Sequence, residues 1–132
     1  MITIDKFNEL TSKLIGQPLT QVSDSYGDVV VLHFGNLTNY THPKLSDLTR
    51  SDYELVIKMS NLVINGDLIN HILKEVVVSF TLNLHLTFDN NKSIRVFSND
   101  TETELPYWEL WIPGDNYIVA DSTGLQLLSK YE

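Results

Sequence analysis

The sequence predicts an α+β fold, mainly antiparallel β. Two similar strand units form a sandwich or half-open barrel, with an N-terminal helix and a second short helix. Three observations predict it. From Val76 to Phe88 the even positions read Val, Val, Phe, Leu, Leu, Leu, Phe, and the odd positions after Val77 read Ser, Thr, Asn, His, Thr. A period of two belongs to a strand with one apolar face, because a helix repeats at 3.6. Residues 4–15 instead bring Ile4, Phe7, Leu10 or Thr11, and Leu14 to helical spacing. Finally, a shift of 54 residues superposes Val22 on Val76, Tyr26 on Phe80, Val30 on Leu84, Leu32 on Leu86, Phe34 on Phe88 and Asn36 on Asn90. Taken at face value, that self-similarity makes the fold two like β-units packed together, each with a helix over one end of its sheet.

The elements follow in order. Thr3 is placed to cap the first helix, Gly16 to end it in a left-handed conformation, and Pro18 to prevent its continuation. Leu19 and Val22 begin a short strand that stops in the turn cluster of residues 23–28. Val29–Phe34 is apolar on both faces apart from His33, which predicts a central strand. Residues 35–50 show no periodicity and are expected to form a long loop, the kind of segment that often carries function. Tyr53, Leu55, Ile57 and Met59 then share one face of a strand over 53–60. Asn65-Gly66 suits either a tight hairpin or the lead into a helix over Asp67–Leu73; the spacing of Leu68, Ile69, Ile72 and Leu73 favours the helix.

In the hairpin that ends the Val76–Phe88 run, opposed residues must share a face. A two-residue Asn90-Asn91 loop would set Leu86 against Arg95. A three-residue loop, Asp89-Asn90-Asn91, pairs Leu86 with Ile94 and Leu84 with Val96, and leaves Asn91 at the left-handed site that asparagine tolerates. Tyr107–Ile112 and Tyr117–Asp121 are strands about Pro113–Asn116, with apolar residues on both faces and no readable register. Leu125–Leu128 is a final strand or a helical turn.

At 132 residues the chain is one domain, 1–132, able to bury a core without staples. Hydrophobic residues at 42% and charged ones at 20% place it among globular proteins. It has no cysteine, which excludes disulfides and thiolate chemistry and makes a reducing cytoplasm the expected location. The N-terminus lacks the basic and apolar blocks of a secretion signal, and no stretch reaches the roughly 20 apolar residues of a membrane span. Net charge is −8; residues 98–132 hold seven acids and one base. That sign argues against nucleic acid and towards a basic protein partner.

Strand patterns also carry a resemblance. Leu14-x-Gly16-x-x-Leu19-x-x-Val22, Val31-Leu32-His33-Phe34-Gly35, Tyr53-Glu54-Leu55-Val56-Ile57, Leu84-x-Leu86-x-Phe88 with Ile94-Arg95-Val96-Phe97, and Glu109-Leu110-Trp111-Ile112-x-Gly114 resemble a loose group of small bacterial proteins. Some of these are thought to act as immunity proteins beside toxin genes. Where that group has Trp-Arg after its Tyr-x-Leu strand this chain has Ser60-Asn61-Leu62, and no residue role is carried across.

The candidate binding residues are Glu102, Glu104, Tyr107, Trp108, Glu109 and Trp111. Trp and Tyr dominate interface hot spots, and an acidic rim selects and steers a basic partner. The same residues would serve as an acid–base pair in a cleft, but an acidic loop beside an inward-packed strand is the commoner arrangement. His33 and His85, with Asp24 or Asp28, lack any metal-ligand spacing. No nucleophile elbow or phosphate loop occurs. The expectation is therefore a non-enzymatic protein-binding module without cofactor or metal, possible as a homodimer. The alternative is a β-domain holding a small ligand near Tyr53, Trp108 and Trp111.

Overall fold

A computed structural model of the protein describes residues 1–24, 28–42, 45–98 and 106–129, with the backbone alone over 39–42 and 45–50. Helix α1 (Ile4–Leu10) leads into β1 (Leu19–Asp24), β2 (Val29–His42) and β3 (Leu45–Lys58). A 3-10 turn at Met59–Asn61 then takes the chain to β4 (Leu62–Asn65), β5 (Leu73–Val78), β6 (Leu84–Phe88) and β7 (Ser93–Val96). It ends in β8 (Trp108–Ile112), β9 (Asn116–Asp121) and β10 (Gly124–Ser129). Among the described residues all strand pairings are antiparallel, in a six-stranded sheet ordered β1-β2-β3-β8-β9-β10 and a four-stranded sheet ordered β4-β7-β6-β5. No described helix is long and apolar enough to cross a membrane.

Alternation builds one core from both sheets. Leu32, Phe34, Leu55, Ile57, Leu110 and Ile118 of the larger sheet join Leu84, Leu86, Phe88, Ile94 and Val96 of the smaller, all nearly inaccessible. Each such side chain contributes about 1.5–3 kcal/mol of transfer free energy. Phe7 of α1 closes one end, meeting Trp108 edge-on at 5.8 Å. Thr3 caps the helix by accepting from Lys6 N–H at 3.1 Å, and Gly16 adopts φ +98°. The helix stops at Leu10, shorter than the spacing predicts, and the chain reaches Gly16 through turns that still bury Leu14.

The 54-residue self-similarity is present in the register. It carries every pair of the β1–β2 hairpin onto the β5–β6 hairpin: Leu19↔Phe34 onto Leu73↔Phe88, Val22↔Leu32 onto Val76↔Leu86, Asp24↔Val30 onto Val78↔Leu84, with the bulge at the same place. The two hairpins meet through reciprocal bonds about an isolated Pro18–Ile72 bridge. Leu19 N–H donates to His71 O (3.1 Å), and its counterpart Leu73 N–H donates to Gln17 O (2.9 Å). Gly35 N–H donates to Pro18 O, and Asp89 N–H to Ile72 O, both at 2.9 Å. Phe34 and Phe88, equivalent under the shift, stack at 6.3 Å across the same axis. Even the left-handed Gly16 has a left-handed counterpart in Asn70 (φ +70°). These relations define a local pseudo-two-fold axis.

Four expectations are corrected. Within the stretch expected to be a loop, residues 35–42 and 45–50 form the outer arms of β2 and β3, paired from Leu37↔Ser51 to His42↔Leu45. Irregularities between Phe34 and Leu37 and between Tyr40 and His42 break the period of two, which hid the strands from pattern reading. The helix over Asp67–Leu73 is absent. Gly66 and Asn70 take positive φ, and residues 70–73 are tied by backbone bonds to the strand entrance at Gly16–Leu19. The Val76–Phe88 run is two strands, turned at residues 79–83 with Leu82 at φ +68° and Ser79 N–H donating to Asn83 O. Because Val78 and Leu84 face each other across five loop residues, parity is preserved and the alternation cannot reveal the turn. Met59 leaves the face of Ile57 for the 3-10 turn and is exposed. By contrast Leu84 faces Val96, Leu86 faces Ile94, and Asn91 has φ +63°, as the three-residue loop requires.

Candidate binding surface

The outward face of the six-stranded sheet is set by the same alternation that fills the core. Leu32, Leu55, Leu110 and Ile118 form one inward row, so the adjacent row, His33–Glu54–Trp111–Tyr117 in Cα register, points outward. Trp111 and Tyr117 stack with ring centroids 4.2 Å apart and planes at 19°, both part-exposed. Trp111 Nε1–H points at Glu109 Oε2, 3.4 Å away. Beside the pair lies a cleft of about 160 Å³ whose walls include Ser51, Asp52, Glu54, Trp111, Pro113 and Asp115. Asp52 is held by Asn36 N–H at 3.1 Å and sits against Gly35, where a Cβ would stand 2.6 Å from its Oδ2. Gly35 also takes φ +86°, so this approach requires glycine.

At the other end of the row His33 is buried, 4% exposed, in a network of hydroxyls. Its Nε2 lies 2.8 Å from Ser23 Oγ and its Nδ1 3.2 Å from Ser51 Oγ. Ser51 donates its own proton to Tyr53 O at 2.7 Å, so towards the ring it can only accept. Neutral His33 therefore carries its proton on Nδ1 and receives the Ser23 hydroxyl on Nε2. Burial holds the His33 pKa below the ordinary histidine value, partly opposed by Glu54, whose Oε1 stands 3.9 Å from Nδ1. Burial, helped by Asp52, raises that of the Tyr53 phenol.

Of the residues singled out from sequence, the structure brings Glu109 and Trp111 together on this face. Trp108, of opposite parity, is in the core at 1% exposure, its Nε1–H donating to Leu82 O at 2.9 Å. Tyr107 is half-buried at the strand entrance, where its N–H donates to Ala120 O. Glu102 and Glu104 lie outside the described residues. Sequence reading missed Tyr117, Glu54, Asp52, Ser23 and Ser51. His33 alone gave a signal, as the polar residue in an apolar run; its partners come from strands whose register was unreadable. His33 and His85 belong to different sheets, and no group of three His, Cys, Asp or Glu suited to a metal occurs among the described residues.

A second concavity, a groove of about 680 Å³, lies between the N-terminus, the β5–β6 turn and the β9–β10 turn; Ile2, Ile4, Phe80, Leu82 and Leu125 help line it. Tyr53 and Trp108, expected to flank a ligand, are instead packed in the core. Set against family models, curated proteins and solved structures, the chain matches none.

Proposed function

We propose that the protein is a non-enzymatic binding module that captures a basic protein segment on the outer face of its six-stranded sheet. The Trp111–Tyr117 stack beside Glu109, Glu54 and Asp52 carries this reading. A part-exposed aromatic pair offers a cation its π-faces, worth about 0.5–1 kcal/mol per contact, while neighbouring carboxylates supply the charge. The chain's net charge of −8, concentrated in its C-terminal third, would speed the encounter. The finer form of the proposal is an immunity-type inhibitor of a basic toxin in the bacterial cytoplasm, supported by the strand-pattern resemblance alone. A fluorescent hexa-arginine peptide tests the surface. W111A is expected to weaken binding about tenfold, the scale of an aromatic hot spot, and E102K/E104K to weaken it while flattening its salt dependence. Equal binding by wild type and W111A would show that the stack is not the docking site.

The 680 Å³ groove favours a second reading, a small-ligand site, since its size lies in the usual pocket range. Its apolar wall suits a hydrophobic metabolite. Thermal shifts across a metabolite panel, lost in L82N, would support this reading.

A further inference from the structure

We infer that His33 is a proton-operated latch on this surface, drawing Glu54 out of the Trp111 cleft when it becomes charged; the inference rests on that cleft being the docking site. The geometry makes Glu54 common to both places. Its position on β3 pairs with His33 on one side and Trp111 on the other. Its Oε1 accepts from Ser51 N–H at 3.3 Å and stands 3.9 Å from His33 Nδ1, while the side chain forms part of the cleft wall.

The neutral ring is locked. Ser51 can only accept from Nδ1, and Ser23 donates to Nε2. A proton arriving at Nε2 turns an acceptor into a donor, so the Ser23 hydroxyl must rotate its hydrogen away. The ring then carries a full charge with 5% of its side chain exposed, a state that needs an anion. From β1 the ring is faced by Ser23, with Gln21 at the paired position; from β3 it is faced by Ser51 and Glu54. Asp52 is committed to Asn36 N–H. Glu54 is thus the charged group facing His33 among the described residues, and closing about 1 Å makes an ion pair of ordinary length. The cleft then loses a carboxylate, and a cation appears behind its wall. Both changes oppose a basic ligand, so acidification releases it.

Binding and protonation must then oppose each other reciprocally. The test uses the full chain and the hexa-arginine peptide. Histidine 13C and 15N resonances are followed from pH 8 to 4.5, with the Trp111 contribution to fluorescence taken as wild type minus W111F. His33 should titrate from the single Nδ1–H form. Trp111 emission should change with the same midpoint in wild type but not in H33Q or E54Q. Peptide affinity should fall about two- to fivefold through that midpoint, the weight of one partly exposed ion pair. H33Q should lack this step, keeping only the decline shared by both proteins as the carboxylates protonate. E54Q leaves the His33–serine network in place, so a folding defect in H33Q does not decide the matter. Trp111 emission that ignores the His33 titration, or unchanged pH dependence in E54Q, overturns the latch. Absence of peptide binding at every pH overturns the docking surface, and the fluorescence arm still decides the movement of Glu54.

Discussion

His33 shows how one residue links stability to surface chemistry. Its pKa in the folded chain lies below the ordinary value because charging a buried ring is costly. The unfolded chain therefore binds more protons between the two values, and stability rises with pH through that window. The contribution is complete above about pH 6.5 and is lost as pH falls towards the folded pKa. Denaturant unfolding at a series of pH values should show this decline in wild type and a shallower one in H33Q, whose side chain carries no titrating proton. An identical slope in both proteins would remove His33 as its source. Asp89 acts in a lower window. A hydrogen bond from His71, 2.7 Å away, holds its carboxyl below the usual range, so its contribution persists above the ordinary carboxylate pKa and disappears in acid.

At the scale of elements, turns decide what alternation leaves open. Asn91 and Asn70 both adopt left-handed backbone, the first in the β6–β7 loop and the second at the hairpin crossing. Replacing either with Val should cost about 1–2 kcal/mol, because a Cβ-branched residue is strained there, while Gly should be neutral within about 0.5 kcal/mol. Urea midpoints at constant m-value would read this; a Val variant as stable as wild type would contradict the assigned conformation. The hairpin register was legible because only one loop length sets Leu84 and Leu86 against apolar partners. The turn inside Val76–Phe88 was not legible, since a five-residue loop preserves parity. Nor was the extension of β2 and β3 past residue 35, where bulges break the very signal used to find strands.

For the whole molecule, the local two-fold relation makes Phe34 and Phe88 counterparts at the centre of the core. Truncating either to Ala should cost about 3–5 kcal/mol, and by similar amounts, because each fills an equivalent site. The double mutant should fall short of additivity by about 0.5–1.5 kcal/mol, the stacked pair being lost only once. Full additivity would mean that the rings stabilise the two sheets independently. Losses that differed by more than about 2 kcal/mol would mean that the equivalence stops at the backbone.

The sequence by itself determined the fold class, the start of the first helix and its N-cap at Thr3, the β6–β7 register and the 54-residue self-similarity. These rest on periodicity, on the few residues that accept left-handed backbone, and on matching apolar faces, all readable locally. Tertiary structure alone decided that Trp108 turns inward and Trp111 outward. Both neighbours of β8 were needed, because its apolar residues occupy both faces. The same pairing of β2 with β3 and β3 with β8 set His33, Glu54 and Trp111 in one row. Residues so far apart along the chain become neighbours only through hydrogen-bonded register between strands, and no local pattern encodes that.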